Sequence, residues 1–244
     1  MLTKDKAICL RTVDYSETSQ VVTLFCRQSG KIGAIAKGSK RARSALEGPL
    51  EVFSYGDAAF APHTGGKLAT LTEYSQQPRF RLLRANLYAL NCALLAAELI
   101  DAFTHEADAH PGLFDAIVQF LEDVQETQAR RDALALLIVL ELALLHETGI
   151  MPVLSGCVNC RRAFGLAWRQ VYFSSSANGL LCENCEQAFA EKKRLAFAVA
   201  ETLSDIRSLA QAREDVLNDT EKAIIHHFRE LMHREPRMAK HVIS

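Results

Sequence analysis

Two C-x-x-C pairs constrain the fold of this chain more than any other feature of its sequence. Cys157 and Cys160 form the first pair, Cys182 and Cys185 form the second, and 21 residues separate the two pairs. A C-x-x-C turn lets two thiolates converge on one metal ion, and two such turns supply the four soft ligands of a closed tetrahedral zinc site. The spacing therefore predicts a zinc-binding module at residues 155–187.

The alternatives to zinc are disulfide bonds, four unliganded thiols or a redox-active pair. The N-terminal stretch MLTKDKAICLRTVDYSETSQ lacks the apolar run and cleavage site of a signal peptide, so we expect a cytoplasmic protein. Paired cysteines in a reducing compartment more often bind metal than form disulfides, and three further cysteines make the total odd: Cys9, Cys26 and Cys92. Four cysteine ligands leave no open position on the metal. We therefore expect one zinc ion with a structural role.

Length and overall charge set wide limits on the rest of the molecule. The longest apolar run, residues 133–145, contains Glu141 and is well short of the roughly 20 residues that span a bilayer, so no membrane association is expected. The 244 residues, 49% of them hydrophobic, are enough for two domains. The formal net charge is only −1. An argument for a nucleic-acid partner must therefore rest on local clusters of charge.

Short β-rich runs fill the first 80 residues. They extend over 7–13, 20–28, 31–37, 50–62 and 67–75, and turn-forming residues separate them. Five short antiparallel strands predict a small closed barrel, with the OB-fold as first choice and an SH3-like barrel as the alternative. The run at 20–28 is apolar on both faces, which predicts burial on both sides of that strand.

Beyond residue 80 the apolar residues recur every three or four positions, as they do in helices. The pattern predicts helices at 86–104, 113–128, 132–149, 196–210 and 220–233. The third is apolar nearly all round and is expected at the centre of a bundle. The predicted fold is therefore α+β with two domains. An OB-fold-like β-barrel at 1–80 precedes an α-helical domain at 81–244 that carries the four-cysteine zinc finger.

Basic residues concentrate in two clusters. The first lies within 27–46, which contains no acidic residue: Arg27, Lys31, Lys37, Lys40, Arg41 and Arg43. The second lies at the junction after the barrel: Arg79, Arg81 and Arg84. Because OB-folds bind single strands with a basic face and its loops, these nine residues are predicted to contact the phosphates of a nucleic acid. The alternative is that they form solvated loops.

Aromatic residues that could stack on bases are few. The candidates are Tyr15, Phe25, Phe53 and Tyr55, and strand alternation places at least half of them in the core. Enzyme signatures are absent from the sequence, which has no G-x-x-x-x-G-K-[ST], G-x-G-x-x-G or H-E-x-x-H motif. The adjacent His226 and His227 are expected at the surface of a helix. The sequence therefore predicts a protein that is not an enzyme.

The order of these features resembles the RecO family of bacterial recombination mediator proteins. The matching stretches are AIAKGSKRARS with LEGPLEVFSYG, then AAELIDAFTHEADAHPGLFDAIVQFL, then ELALLHETGIMPVLSGCVNC with ANGLLCENC, and finally HHFRELMHREPRMAKHVIS. The resemblance extends over essentially the whole chain. It departs at Asn178, where a double glycine would be expected, so this asparagine is predicted to be left-handed.

The resemblance implies a mediator of DNA repair and homologous recombination in the RecF pathway. Such a protein would bind single- and double-stranded DNA, anneal complementary strands, and act with RecR and the C-terminal tail of the single-strand binding protein. It would thereby help to load RecA, in the bacterial cytoplasm and at the nucleoid during repair. Lys37, Lys40, Arg41 and Arg43 fall in the basic barrel segment of the family, and the four paired cysteines match its zinc ligands, which some members lack.

A different class of function is the alternative. A zinc ribbon joined to an OB-fold is also typical of interaction modules of the transcription or translation machinery, which bind RNA or protein. The two hypotheses differ in what the basic residues of the barrel should bind.

Overall fold

A computed structural model describes residues 2–41, 43–61 and 68–243, which form two compact units. The first unit combines residues 1–85 with 97–126, and the second combines 86–96 with 127–244. The division after residue 80 stays a prediction, and these units group 81–85 and 97–126 with the barrel. Independent folding of residues 1–80 stays a prediction. The end of the run at 50–62 (residue 62) and the start of the run at 67–75 (residue 67) lie outside the described residues.

Five strands close into a barrel in the first unit. They are β1 (Thr3–Asp14), β2 (Gln20–Cys26), β3 (Gly30–Ala36), β4 (Tyr55–Ala61) and β5 (Ala69–Gln77), in the order β1-β2-β3-β5-β4. β1 pairs antiparallel with both β2 and β4, which closes the sheet, and β3 pairs in parallel with β5. This five-stranded arrangement fits the OB-fold, so the first choice for the barrel is confirmed.

Alternate residues of the strands fill the barrel. Val22, Leu24 and Cys26 of β2 lie in the apolar core. Phe25 points to the opposite face of β2 and is also fully buried, because its ring centroid lies 6.0 Å from that of Phe114. Burial of β2 on both faces is confirmed at Phe25, whereas the other two outward-facing residues of this strand are only partly buried.

The helices lie close to their predicted positions. They are α1 (Leu87–Phe103), α2 (Pro111–Glu126), α3 (Arg130–Glu147), α4 (Phe197–Ser204) and α5 (Glu214–Met232). In the second unit, α3 packs against α5 and is buried along most of its length, as expected for a central helix. The helix predicted at 196–210 is shorter, because Asp205 is extended and its side chain accepts a hydrogen bond from the Arg207 backbone N–H (3.1 Å).

A second sheet, which the sequence did not predict, surrounds the cysteine pairs. Its strands are β6 (Val153–Cys157), β7 (Val171–Ser174), β8 (Gly179–Cys182) and β9 (Lys193–Leu195), in the order β6-β8-β7-β9. β6 and β8 run parallel, and the other pairs are antiparallel.

Of the helices in the described ranges, none is both long and apolar enough to cross a membrane.

Candidate metal centre and nucleic-acid interface

The four cysteines of the C-x-x-C pairs come together beside the second sheet. Their Sγ atoms all lie within 4.8 Å of one another, and those of Cys160 and Cys182 are 3.8 Å apart. Four sulfurs at about 2.3 Å from a central ion would be about 3.8 Å apart in a regular tetrahedron. The observed spacing therefore fits a four-coordinate metal ion.

Backbone hydrogen bonds fold the two cysteine turns. In the first, the Arg161 N–H donates to the Cys157 carbonyl and the Cys157 N–H donates to the Arg162 carbonyl, both at 2.8 Å. Arg161 has a φ of 62°, in the left-handed region. In the second, the Cys185 N–H donates to the Cys182 carbonyl at 3.0 Å. These turns hold the two thiols of each pair close together.

Two residues show how closely the backbone is packed around these turns. A Cβ atom on Gly156 would lie 2.8 Å from the Arg162 carbonyl oxygen, so only glycine fits at this position of β6. Asn178 begins the turn into β8 with a φ of 54°, and its carbonyl accepts a hydrogen bond from the Val153 N–H (2.9 Å). The predicted left-handed conformation of Asn178 is confirmed.

The protonation of the thiols also suits a cation. For Cys157, burial raises the pKa, but backbone N–H groups of Cys160, Cys182 and Asn159 outweigh it and hold the pKa at about 7. Burial raises the pKa of Cys182 to about 12. The Cys157 thiolate therefore forms readily near neutral pH, whereas ionisation of Cys182 is favoured by a nearby positive charge. A bound metal ion supplies that charge.

The predicted DNA-contacting residues divide into two groups. Five form ion pairs with carboxylates of the first unit: Arg27 with Asp115, Lys31 with Asp101, Lys40 with Asp14, Arg79 with Glu122 and Arg84 with Glu51. Arg27 contacts both oxygens of Asp115, at 2.8 and 2.7 Å. Lys31 is largely buried and also donates to the Asp101 carbonyl. Arg27 and Lys31 thus join the barrel to α1 and α2.

Four of the nine residues are exposed and have no carboxylate within ion-pair distance in the part of the chain that the structure describes: Lys37, Arg41, Arg43 and Arg81. Three of them lie on the connection between β3 and β4, together with Lys40. We call Lys37, Lys40, Arg41 and Arg43 the basic loop. The Lys40 N–H donates to the Thr18 carbonyl at 3.2 Å, so the basic loop lies against the turn between β1 and β2.

Tyr15 lies at that turn and is 67% exposed. The other three aromatic candidates, Phe25, Phe53 and Tyr55, are buried. The expectation that at least half of the four belong to the core is confirmed. Tyr15 is the candidate that could still reach a base beside the basic loop.

Comparison with known proteins places the chain in a family. Residues 1–77 match the family model described as Recombination protein O N terminal, and residues 84–233 match Recombination protein O C terminal. The chain belongs to the RecO family. The first RecO model ends with β5 and the second begins just before α1, so together they match nearly the whole chain.

Individual RecO proteins are similar over most of their length. DNA repair protein RecO of Bacillus pumilus is 36% identical over 203 residues, which are 83% of this chain and 76% of the relative. The protein of the same name from Bacillus subtilis is 34% identical over 185 residues, 76% of this chain and 69% of the relative. That of Rhodopirellula baltica is 32% identical over 209 residues, 85% of this chain and 75% of the relative.

The histidine pair on α5 is not at the surface. His227 is buried with its ring centroid 5.3 Å from that of Phe173, and burial lowers its pKa to about 4. His226 is partly buried, and its Nε2 lies 3.2 Å from Oε1 of Glu191. The surface expectation was wrong because α5 is enclosed by the second sheet as well as by helices.

Sequence reasoning also missed two buried acids. Glu141 of α3 and Glu221 of α5 are about 1% and 0% exposed, and burial raises the pKa of both. The two carboxyl groups influence each other's pKa, and none of their four oxygens has a hydrogen-bond partner among the described residues. The only sequence signal was the position of each acid within an apolar helical stripe.

Proposed function

We propose that this chain is a non-enzymatic mediator of DNA repair and recombination that binds single- and double-stranded DNA and anneals complementary strands. The observation that carries the proposal is the match of both RecO models to a chain whose OB-fold barrel exposes a cluster of cations. The relatives at 32–36% identity are named DNA repair proteins.

The basic loop is the proposed contact with the phosphate backbone. Lys37, Arg41 and Arg43 are exposed and free of carboxylates, so they can bind phosphate without breaking an ion pair. Lys40 would exchange its ion pair with Asp14 for a contact with phosphate. The aspartate of this pair is largely exposed, so the pair contributes little to stability. Arg81 of the second cluster is also exposed and is proposed as a further phosphate contact. Arg27 and Lys31 serve the fold instead, because their partners are part of it.

Annealing requires that the backbones of two strands be neutralised while the bases stay free to pair. A surface rich in lysine and arginine with one exposed tyrosine satisfies this requirement, since phosphate contacts position a strand without reading its bases. We further propose RecR, the tail of the single-strand binding protein and, indirectly, RecA as partners, in the cytoplasm and at the nucleoid.

Zinc is the proposed metal at Cys157, Cys160, Cys182 and Cys185. Four thiolates in tetrahedral spacing are the donor set of structural zinc sites. All four positions would be filled by protein, so the ion would stabilise the second sheet and leave no position for a reacting water.

The test combines binding and annealing. We expect a fluorescent single-stranded DNA to bind more tightly than structured RNA of equal length, and complementary strands to anneal faster with the protein than without it. Preference for RNA with no acceleration of annealing would contradict the proposal and favour the interaction-module alternative.

A variant in which all four residues of the basic loop are replaced by alanine tests whether they contact the DNA phosphates. Each phosphate contact with a single strand contributes about 0.7 to the slope of log affinity against log salt, so the variant should flatten that slope by roughly 2 to 3. The control removes four cations of the second unit, of which three are exposed and Lys222 is partly buried: Arg207, Arg213, Lys222 and Lys240. Equal flattening in both variants would show that net charge, and not the basic loop, determines binding.

A further inference from the structure

A cleft of about 390 Å³ opens at the edge of the second sheet, outside the barrel and next to the cysteine cluster, since its lining residue Val171 pairs with Cys182 of β8. The residues before β7 form one side, and β9 with the start of α4 forms the other. β9 is the last strand in the sheet order, so the cleft lies at a sheet edge. Its volume falls within the roughly 300–1,000 Å³ of pockets that bind small ligands.

The walls of this cleft offer hydrogen-bond donors. Arg169 and Arg194 line it, are exposed, and have no carboxylate within ion-pair distance in residues 2–41, 43–61 and 68–243. A nearby acid, Glu183, is already paired with Arg162 at 3.1 Å. The Gln170 side-chain carbonyl accepts a hydrogen bond from the Tyr172 hydroxyl, which leaves the amide N–H groups of Gln170 for a ligand. Two guanidinium groups and an amide donor suit an anion.

An aromatic ring stands beside these donors. Phe197 also lines the cleft and is only partly buried. Its ring is fixed from behind by Phe164, with centroids 5.0 Å apart and planes at 31°. Phe164 is held in turn by Trp168, edge to face at 5.4 Å. A rigid, partly exposed ring next to arginines is the combination with which proteins bind single-stranded nucleic acid, one base on the ring and its phosphate on the cations.

We infer that this cleft binds one nucleotide of a DNA single strand, with the phosphodiester between Arg169 and Arg194 and the base on Phe197. The site lies in the second unit and does not share a residue with the basic loop. It rests on the proposed function only for its role, which is to hold a second strand during annealing. Its binding chemistry is independent of the barrel.

A double variant, Arg169→Gln with Arg194→Gln, tests the phosphate contact in the full-length protein. Because both side chains hold one phosphate, the slope of log affinity against log salt for a fluorescent oligothymidylate should fall by about 0.7. The matched control, Arg207→Gln with Arg213→Gln, removes the same charge from exposed positions of the same unit and should keep the parental slope. A double variant with the parental slope would overturn the inference.

Photo-crosslinking of the unmodified protein tests the stacking contact without any variant. An oligonucleotide that carries 5-iododeoxyuridine should crosslink to the peptide that contains Phe197, as read by mass spectrometry. Phe197→Leu keeps an apolar side chain without a ring, and should weaken binding about tenfold at an unchanged salt slope. Crosslinks confined to other peptides, or parental affinity of Phe197→Leu, would overturn the stacking contact.

Two further measurements distinguish a strand-binding cleft from a site for free nucleotides and from binding by the barrel. Thymidine monophosphate should not displace the oligonucleotide at equal nucleotide concentration, and displacement would show a site for free nucleotides instead of a strand. The fourfold alanine variant of the basic loop is titrated in parallel. Its slope tests the barrel, and the slope of the Arg169 and Arg194 double variant tests the cleft, so one can fail while the other stands.

Discussion

The two units of the molecule fill their interiors with different chemistry. The core cluster of the barrel consists of apolar residues, Tyr74 and two thiols, Cys9 and Cys26, which stay neutral because burial raises their pKa. The second unit contains the four clustered thiols, of which only Cys160 is exposed, and it buries Cys92, Glu141, Glu221 and His227. Apolar burial does not depend on pH or metal, whereas buried ionisable groups depend on what neutralises them. The second unit should therefore respond to conditions that leave the barrel unchanged.

Loss of the metal should produce the largest difference in stability between the two units. Cys157→Ser should abolish binding of one zinc per chain and remove metal-binding free energy on the order of 10 kcal/mol, comparable to the whole stability of a domain. Region-resolved hydrogen exchange should show β6 to β9 losing protection while β1 to β5 keep it.

The control for the metal variant is Cys26→Ala, which removes a buried thiol from the barrel core. It should cost about 1 kcal/mol and leave the zinc content unchanged. Metal analysis that finds no zinc in parent protein prepared without chelator would refute the assignment of the site.

A cavity in the barrel should produce the opposite pattern. Leu24→Ala truncates a fully buried side chain and should lower the free energy of unfolding by about 2–5 kcal/mol, because a cavity remains. Denaturant titration gives the magnitude, and hydrogen exchange should place the loss in β1 to β5. Zinc content should equal that of the parent. A simultaneous loss of zinc would mean that the two units do not respond separately.

The glutamate pair should make the second unit sensitive to pH, with the smallest effect of the three. Burial raises the pKa of Glu221 from 4.5 to about 7, so the folded state binds a proton that the unfolded state has released. Stability from this group is present below about pH 4.5 and is lost as pH rises to about 7, by up to about 3 kcal/mol. Burial raises the pKa of Glu141 as well, so the double variant Glu141→Gln with Glu221→Gln should remove this decline.

The pKa of His227 shifts in the opposite direction and checks whether stability rises or falls with pH. Its lowered pKa means that the unfolded state binds the extra proton, so its contribution falls as pH drops from about 6.5 to about 4. In the double variant Glu141→Gln with Glu221→Gln, stability between these values should therefore rise with pH. A parent-like decline toward pH 7 in that variant, measured by urea titration, would show that the carboxyl pair does not control the pH response.

The same contrast explains what the sequence could predict. The strands of the barrel and the long helices follow from periodicity and turn residues, because each is long enough to show its pattern. β7 and β9 have four and three residues, too few for a recognisable alternation, and their place is set by the cysteine turns. The four cysteines themselves were identified because their spacing is a local property.

Distant pairs could not be predicted. Arg27 and Asp115 are separated by 88 positions, and no local signal in a basic segment distinguishes a residue that holds the fold from one that is free. The prediction of nine DNA-contacting residues therefore combined structural and exposed cations. The two groups differ only in ion pairs that form in the folded chain, some with α1 and α2 and others within the barrel segment, as in Lys40 with Asp14.

The first unit is built from two separate stretches of the chain, and this affects its folding during protein synthesis. Phe25 depends for its burial on Phe114, which lies 37 residues beyond the end of β5 at Gln77. At roughly 5–20 residues per second, a ribosome needs about two to seven seconds to translate that interval. The nascent barrel therefore presents an uncovered aromatic face until α2 has left the exit tunnel, and its completion is timed by translation of a later segment.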